Sequence, residues 1–222
     1  MTIITSPLSA APNFKVVKHP LIEDKLSTMR MVDTPTYVFK QNLLDIAVLM
    51  APYVTENLAM TTTNIKTPLC DMTAPVLADQ SPVIVPILRA ALAMTAGFES
   101  VLKQSCVGHI GVARNEETTL PEEYLNKLPN LKGRKVLLVD PMLATGGSAV
   151  YAVELLIEAG AIASDITFAG LVAAPEGVEK LSKAYPEIDI FMAALDEKLD
   201  DNAYIVPGLG DAGDRAFGTF AK

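Results

Sequence analysis

The chain of 222 residues is 50% hydrophobic and 20% charged, with 6% aromatic residues and no tryptophan. That is the usage of an aliphatic-rich α/β protein rather than a disordered one, and at this length folding buries roughly 70% of the unfolded surface. A formal charge of -8 excludes a general nucleic-acid or membrane-surface binder, whose affinity needs clustered Lys and Arg.

The N-terminus, MTIITSPLSAAPNF, has neither a basic n-region nor a continuous apolar stretch. No window approaches the ~20 apolar residues of a membrane span, so a soluble, cytoplasmic protein is expected. Residues 1–13 read as a mobile tail. Residues 20–60 read as helical: Phe39, Leu43, Ile46, Ala47 and Met50 fall on one face of a 3.6-residue period. Thr34-Pro35 separates a shorter helix from this one, and Pro52 is expected to end or kink it. The Thr-rich text of residues 61–82 suggests a β-hairpin or arm.

Short apolar runs then alternate with helical stretches, the pattern of parallel βαβ units. Strands are predicted at residues 83–88, 107–112, 136–139, 166–173 and 188–193, and helices at 91–103, 148–159 and 176–185. Right-handed crossovers assemble these into one open, mostly parallel, doubly wound sheet flanked by helices, a single domain over residues 1–222. Ligands of such sheets lie beyond the carboxyl ends of the strands. Cys70 and Cys106 have no CxxC or zinc spacing and read as two buried thiols rather than a bridge. His19 and His109 match no acid/base arrangement and read as structural.

The strand of residues 136–139 ends at Asp140, followed by Ala144, Thr145, Gly146, Gly147 and Ser148 and then an apolar helix. Two glycines let backbone N–H groups converge, and the helix N-terminus adds partial positive charge: an anion site with no need of net charge. Thr145 and Ser148 each offer a hydroxyl. A carboxylate of ordinary pKa ~3.9 would repel the same anion, so Asp140 suits neighbouring sugar hydroxyls or a bridging magnesium. A bare TGGS is equally an ordinary turn with Ser148 as helix cap; the acid at the strand end favours the binding reading. No Lys follows the glycines, so this is not a Walker loop.

DPMLATGGS, from Asp140 to Ser148, resembles the PRPP-binding signature of type I phosphoribosyltransferases, in the form found in the uracil phosphoribosyltransferase family, where Pro141 replaces a second acid. The resemblance implies that Asp140, Pro141, Met142, Leu143, Ala144, Thr145, Gly146, Gly147 and Ser148 bind PRPP (5-phosphoribosyl 1-pyrophosphate). Asp140 would meet the ribose hydroxyls and Ala144 to Ser148 the 5-phosphate.

Gly208-Leu209-Gly210-Asp211-Ala212-Gly213 spells a GxGxxG, but it neither follows a first strand nor opens a βαβ unit, so a dinucleotide fingerprint fails on context. On its own this stretch is either a surface turn or a loop whose backbone reads the polar edge of a flat ligand. YIVPGLGDAGDRAFGT, from Tyr204 to Thr219, is similar to the uracil-binding hood of the same family. The resemblance implies uracil contacts by Ile205, Gly210, Asp211 and Ala212, with Asp211 also reaching PRPP.

Arg89 and Arg114 follow predicted strands; each is either a surface charge or a clamp for the departing pyrophosphate. The resemblance implies the clamp, with Arg89, Arg114, Asp140 and Asp211 stabilising charge and positioning substrate. It also implies Mg2+ held mainly through PRPP, without a direct protein ligand assigned, and a homo-oligomer in which the arm is a contact. Glu116 and Glu117 read as solvated. The chain departs from the family pattern at Ala91 and Ala93, where glycine is common, and at Ala113, where tyrosine is common. The added methyls put backbone freedom beside the pyrophosphate turn in question. The expected activity is transfer of 5-phosphoribosyl from PRPP to uracil. The same cradle with a purine or orotate acceptor, or a PRPP-sensing regulator, are the competing readings.

Overall fold

The computed structural model describes residues 2–5, 8–78, 80–114 and 121–219, with side chains over 8–78, 80–112 and 122–219. The elements in chain order are β1 (Thr2–Thr5), β2 (Phe14–Lys18), α1 (Pro20–Arg30), α2 (Thr36–Val54), β3 (Met60–Lys66), β4 (Asp71–Leu77), β5 (Val83–Leu88), α3 (Leu92–Val101), β6 (His109–Arg114), β7 (Pro121–Lys127), β8 (Val136–Val139), β9 (Met142–Leu143), α4 (Gly147–Glu158), β10 (Ile166–Ala173), α5 (Pro175–Ala184), β11 (Asp189–Leu195), β12 (Lys198–Leu199), β13 (Ile205–Val206) and α6 (Ala212–Phe217).

Among the described residues the main sheet has nine strands, in the order β1-β2-β11-β10-β8-β5-β6-β7, with β9 beside β10. From β2 to β6 every pairing is parallel, while β1 and β7 close the edges antiparallel. The central strands β5, β8 and β10 are continuous apolar runs because both faces are covered. Successive side chains point to opposite faces, and the core divides accordingly. Ile84, Leu137, Val139, Ala169 and Leu171 pack with α1, α2, α3 and α6. Val83, Val85, Val136, Leu138 and Phe168 pack with α4 and α5.

The expected open, mostly parallel sheet between helices is therefore observed. The strands at 83–88, 136–139 and 166–173 have the expected bounds, and the three following helices agree within a few residues. Residues 61–82 do form an arm: β3 and β4 pair from Met60↔Leu77 to Lys66↔Asp71, with residues largely exposed on both sides. α2 continues two residues past Pro52 before it ends. The opening residues, expected as a mobile tail, are instead placed in the sheet, with Thr2–Thr5 antiparallel to β2, and Asn13 Nδ2 donates to the Ile188 carbonyl at 2.6 Å.

The two cysteines are free but exposed, which corrects the expectation of buried thiols. Cys70 sits at the tip of the arm, where its N–H donates to Thr67 Oγ1, and Cys106 lies in the turn before β6 beside Arg134. Neither turn has a second layer over it. His19 is structural as expected: it caps α1, its Nδ1 accepting from Leu21 N–H at 3.2 Å.

α2 and α3 approach through Gly97, where a Cβ would overlap the Leu44 carbonyl oxygen and come within 2.7 Å of Ala47 Cβ. Gly97→Ala is expected to cost about 1–3 kcal/mol by overpacking this contact. A lowered denaturation midpoint checks it, and an unchanged one would show that the helices separate freely.

Candidate functional site

The site is built where β8 and β10 run parallel and release their chains at the same edge of the sheet. After Val139 the strand ends at Asp140, whose Oδ1 accepts from Met142 N–H at 3.1 Å. Pro141 has no N–H to give, and its carbonyl accepts from both Leu171 (3.1 Å) and Val172 (3.0 Å). The loop is thus fastened to β10 by β9 and by Ala174 N–H donating to Leu143 O at 3.0 Å. It then turns through Gly146, φ +75°, into α4.

Gly146 is the N-cap residue of α4 and has no side chain to cap that helix end, where one long side-chain bond runs from Gly147 N–H to Thr145 Oγ1 at 3.5 Å. Ser148 lies inside the helix, which removes the reading of Ser148 as cap. The first-turn N–H groups of α4 have no intrahelical acceptor and are aimed outward, the arrangement that binds an anion. Behind the turn, the start of α5 touches it backbone to backbone. A Cβ on Gly146 would come within 2.8 Å of the Gly177 carbonyl oxygen, and one on Gly177 would overlap the Ala144 carbonyl oxygen.

Opposite this turn stands the C-terminal loop. The Val206-Pro207 peptide is cis, and Gly208 (φ +61°) and Gly210 (φ +77°) adopt left-handed conformations that favour glycine. Two arginines hold the loop to the end of α1. Arg30 makes a two-pronged ion pair with Asp196, at 2.7 Å and 2.6 Å, and donates to the Gly208 carbonyl at 2.6 Å; Asp196 also accepts from Gly208 N–H at 2.8 Å. Arg215 donates to the carbonyls of Met29, Leu209 and Met31 and stacks on the Phe39 ring at 4.6 Å. Sequence reasoning missed all three charged residues. Arg30 and Asp196 lie 166 positions apart, and neither stands in a motif.

Turn and loop enclose a cavity of about 260 Å³, to which Asp140, Met142 and Ala144 contribute from one side and Ile205, Gly210, Asp211 and Ala212 from the other. The predicted sugar and base residues are thereby brought together. Burial raises the Asp140 carboxyl from the ordinary 3.8 to about 7, against the lowering effect of the Met142 N–H. Wider hollows of about 450 and 640 Å³ lie outside the loop and against α1. Arg30 borders both, but its guanidinium is engaged by Asp196 and Gly208, so we place the chemistry in the smaller cavity.

Some predicted residues act differently from expectation. Leu143 is 1% exposed and packs in the core, and Pro141 is buried, so both shape the loop by their backbones rather than lining the cavity. Asp211 is the N-cap of α6, with Oδ1 accepting from Asp214 N–H at 2.8 Å, which leaves Oδ2 for a ligand. The GxGxxG runs into the short helix α6, which starts at Ala212, and no strand follows among the described residues, so it opens no βαβ unit. Arg89 is exposed just beyond β5, next to Ala90 on the cavity wall, and the Leu88-Arg89 peptide is cis. Arg114 ends the adjacent strand β6; its side chain, the Ala113 side chain, Glu116 and Glu117 lie outside the described residues. Ala91 (φ -73°) and Ala93 are buried and turn their methyls into the core. The right-handed helical conformation at Ala91 is one that alanine adopts without strain.

Among the described residues no three His, Cys, Asp or Glu side chains form a metal cage. Two carboxylates on one cavity do fit magnesium, which takes one or two carboxylates and completes its shell with substrate oxygens and water.

In fold, the chain is similar to the hypoxanthine-guanine phosphoribosyltransferase of L. donovani, at a TM-score of 0.50 and 12% identity over 72% of this chain and 84% of that one. Parallel sheet, acid at a strand end, glycine turn and facing loop give the chain the fold of the phosphoribosyltransferases. A family profile described as Uracil phosphoribosyltransferase matches residues 16–219. A uracil phosphoribosyltransferase of Rhodospirillum centenum is 51% identical over 208 residues, covering 94% of this chain and 96% of that protein. A solved protein of Aquifex aeolicus is 32% identical with a TM-score of 0.88, over 94% of this chain and all of that one. The chain belongs to the uracil phosphoribosyltransferase family.

Two outcomes follow from the site's electrostatics. With its carboxyl raised to about 7, native Asp140 binds more protons than the unfolded chain between pH 4 and 7, roughly, so its contribution to stability is lost as pH rises through about 7. Asp140→Asn should therefore flatten the fall in melting temperature of the ligand-free protein from pH 5 to 8; parallel curves would show that the carboxyl titrates normally. Arg30→Ala leaves Asp196 buried without its partner and should cost about 2 kcal/mol, less than for a fully buried pair because the guanidinium keeps a quarter of its exposure. Hydrogen exchange at the Gly208 amide should quicken with it, and unaltered exchange would mean that the pair does not hold the loop.

Proposed function

We propose that the protein transfers the 5-phosphoribosyl group of PRPP to uracil, giving uridine monophosphate and pyrophosphate. The observation that carries this reading is the shared cavity, in which Asp140, Met142 and Ala144, leading into the phosphate turn, face Ile205, Gly210 and Ala212. Membership of the family supports the choice of base, and disfavours a purine or orotate acceptor.

The N–H groups of the α4 first turn and the hydroxyls of Thr145 and Ser148 take the 5-phosphate, and Asp140 accepts from the ribose hydroxyls. Those hydroxyls bind best to the ionised carboxylate, so substrate shifts Asp140 from its raised value toward ionisation. Backbone groups of Ile205, Gly210 and Ala212 read the alternating donors and acceptors of uracil. The ring nitrogen forms its bond to the anomeric carbon while the bond to pyrophosphate breaks, its electron pair leaving with the pyrophosphate and the nitrogen's proton passing to solvent. Arg89 and Arg114 stabilise the departing oxygens. Positioning and charge stabilisation account for the rate without a dedicated general base. Asp140 and Asp211 would hold the magnesium that PRPP carries, which supplies further charge neutralisation on the pyrophosphate. The exposed β3–β4 arm, with Leu69 at its tip 95% exposed and Met60 and Met72 on its strands, supports a homo-oligomer in which the arm contacts a second copy. No helix of the described residues is long and apolar enough to cross a membrane, and the composition suits a cytoplasmic enzyme.

Purified protein with magnesium and PRPP, offered uracil, orotate, hypoxanthine or no base, is expected to form nucleotide with uracil alone. Silence with uracil would overturn the reading. Arg114→Ala should lower turnover by about 10²-fold, as for loss of one electrostatic donor; near-wild-type turnover would remove it from the site.

A further inference from the structure

The back of the phosphate turn rests on α5 through Gly177, and the next residue on that face of the helix, three positions on, is Lys180. The Lys180 ammonium lies 3.8 Å from the point where a Cβ on Gly147 would stand, and Thr145 Oγ1 lies 3.7 Å from the same point. An ammonium and the turn's hydroxyl thus both lie beside one residue of the cradle. Lys180 is exposed and, among the described residues, forms no ion pair. Its neighbour one turn back, Glu176, makes no ion pair with it and accepts from Leu199 N–H at 3.2 Å. In a chain of net charge -8, an unpaired cation beside a helix N-terminus makes a local positive field where the average is negative.

We propose that Lys180 is a further substrate-binding residue, whose ammonium contacts the 5-phosphate of PRPP from the α5 side of the turn. The sequence does not signal this, because the lysine stands outside the DPMLATGGS signature, on the crossover after the next strand. The inference rests on reading residues 144–148 as the 5-phosphate cradle. A lysine carries its charge on a flexible stem, so it adapts to the phosphate rather than orienting it, and its contribution is to affinity more than to turnover.

The test is calorimetric binding of two probes that divide the substrate: ribose 5-phosphate, which carries only the 5-phosphate, and magnesium pyrophosphate, which carries only the leaving group. Lys180→Ala is expected to weaken ribose 5-phosphate about five-fold, the upper range for an exposed charge pair, and Lys180→Glu to weaken it further. Lys180→Arg should retain the affinity, added salt should narrow the difference, and pyrophosphate binding should be unaltered. Unchanged ribose 5-phosphate binding in Lys180→Ala, or an equal loss for both probes, would overturn the assignment. Thr145→Ala separates the two levels of the argument. A loss with Thr145→Ala and none with Lys180→Ala removes the lysine alone, while no loss with either removes the cradle as well.

Discussion

The contact between the phosphate turn and the first turn of α5 is backbone against backbone, with Gly146 on one side and Gly177 on the other. No side chain fits between them, so the distance from β8 to β10 fixes where the turn stands. The two strands are parallel neighbours, and their chains leave the same edge of the sheet within a few ångströms of each other. Pro141 and Leu143 then carry the hydrogen bonds that continue the sheet beyond β8. The cradle is therefore an extension of the sheet, and inherits its rigidity from Val136–Val139 and Ile166–Ala173, which are buried on both faces.

That rigidity matters because this acidic chain must hold a polyanion. Preorganised N–H groups cost no reorganisation when the ligand arrives, and their partial charges act at short range where the net charge of the molecule is irrelevant. On the proposed function, Asp140 would stand beyond the phosphate and against the sugar, where a carboxylate is useful. Burial makes its ionised form costly while the site is empty. The sugar hydroxyls that it accepts from, and any cation that accompanies them, reverse that cost. The same carboxyl that disfavours the empty site at higher pH thereby favours the filled one.

How much of this is readable from sequence depends on the separation of the interacting residues. The core strands alternate between two faces in a continuous apolar run, and both signals are local; β5, β8 and β10 were accordingly placed with their bounds. The edge strands β1 and β7 escaped, since an edge strand such as Pro121–Lys127 is mostly polar and has only one neighbour to specify it, and β2, beside β1, escaped with them. At Ala91 the departure from family pattern is local, and the structure adds where its methyl goes: the residue has ordinary helical dihedrals and its side chain fills the core. Spacing and residue type suggest buried cysteines, but neither signals that Cys70 stands at an exposed hairpin tip and Cys106 in an exposed turn.

The two halves of the cavity owe their shape to different kinds of interaction, and this explains which half carries which information. The cradle is made by consecutive residues, so one stretch of sequence identifies it and with it the class of substrate. The facing loop has its glycines in sequence, but its position comes from Arg30, Asp196 and Arg215, drawn from the end of α1, the end of β11 and α6. Asp196 is the pivot: one buried carboxylate receives a guanidinium from the N-terminal helix and the Gly208 amide from the loop itself, so each partner compensates its desolvation only while the other is in place. Movement of α1 is then movement of the base-reading loop. The helix α1, far from the cradle in sequence and absent from every motif, thereby fixes the position of the loop that the proposed function assigns to the base.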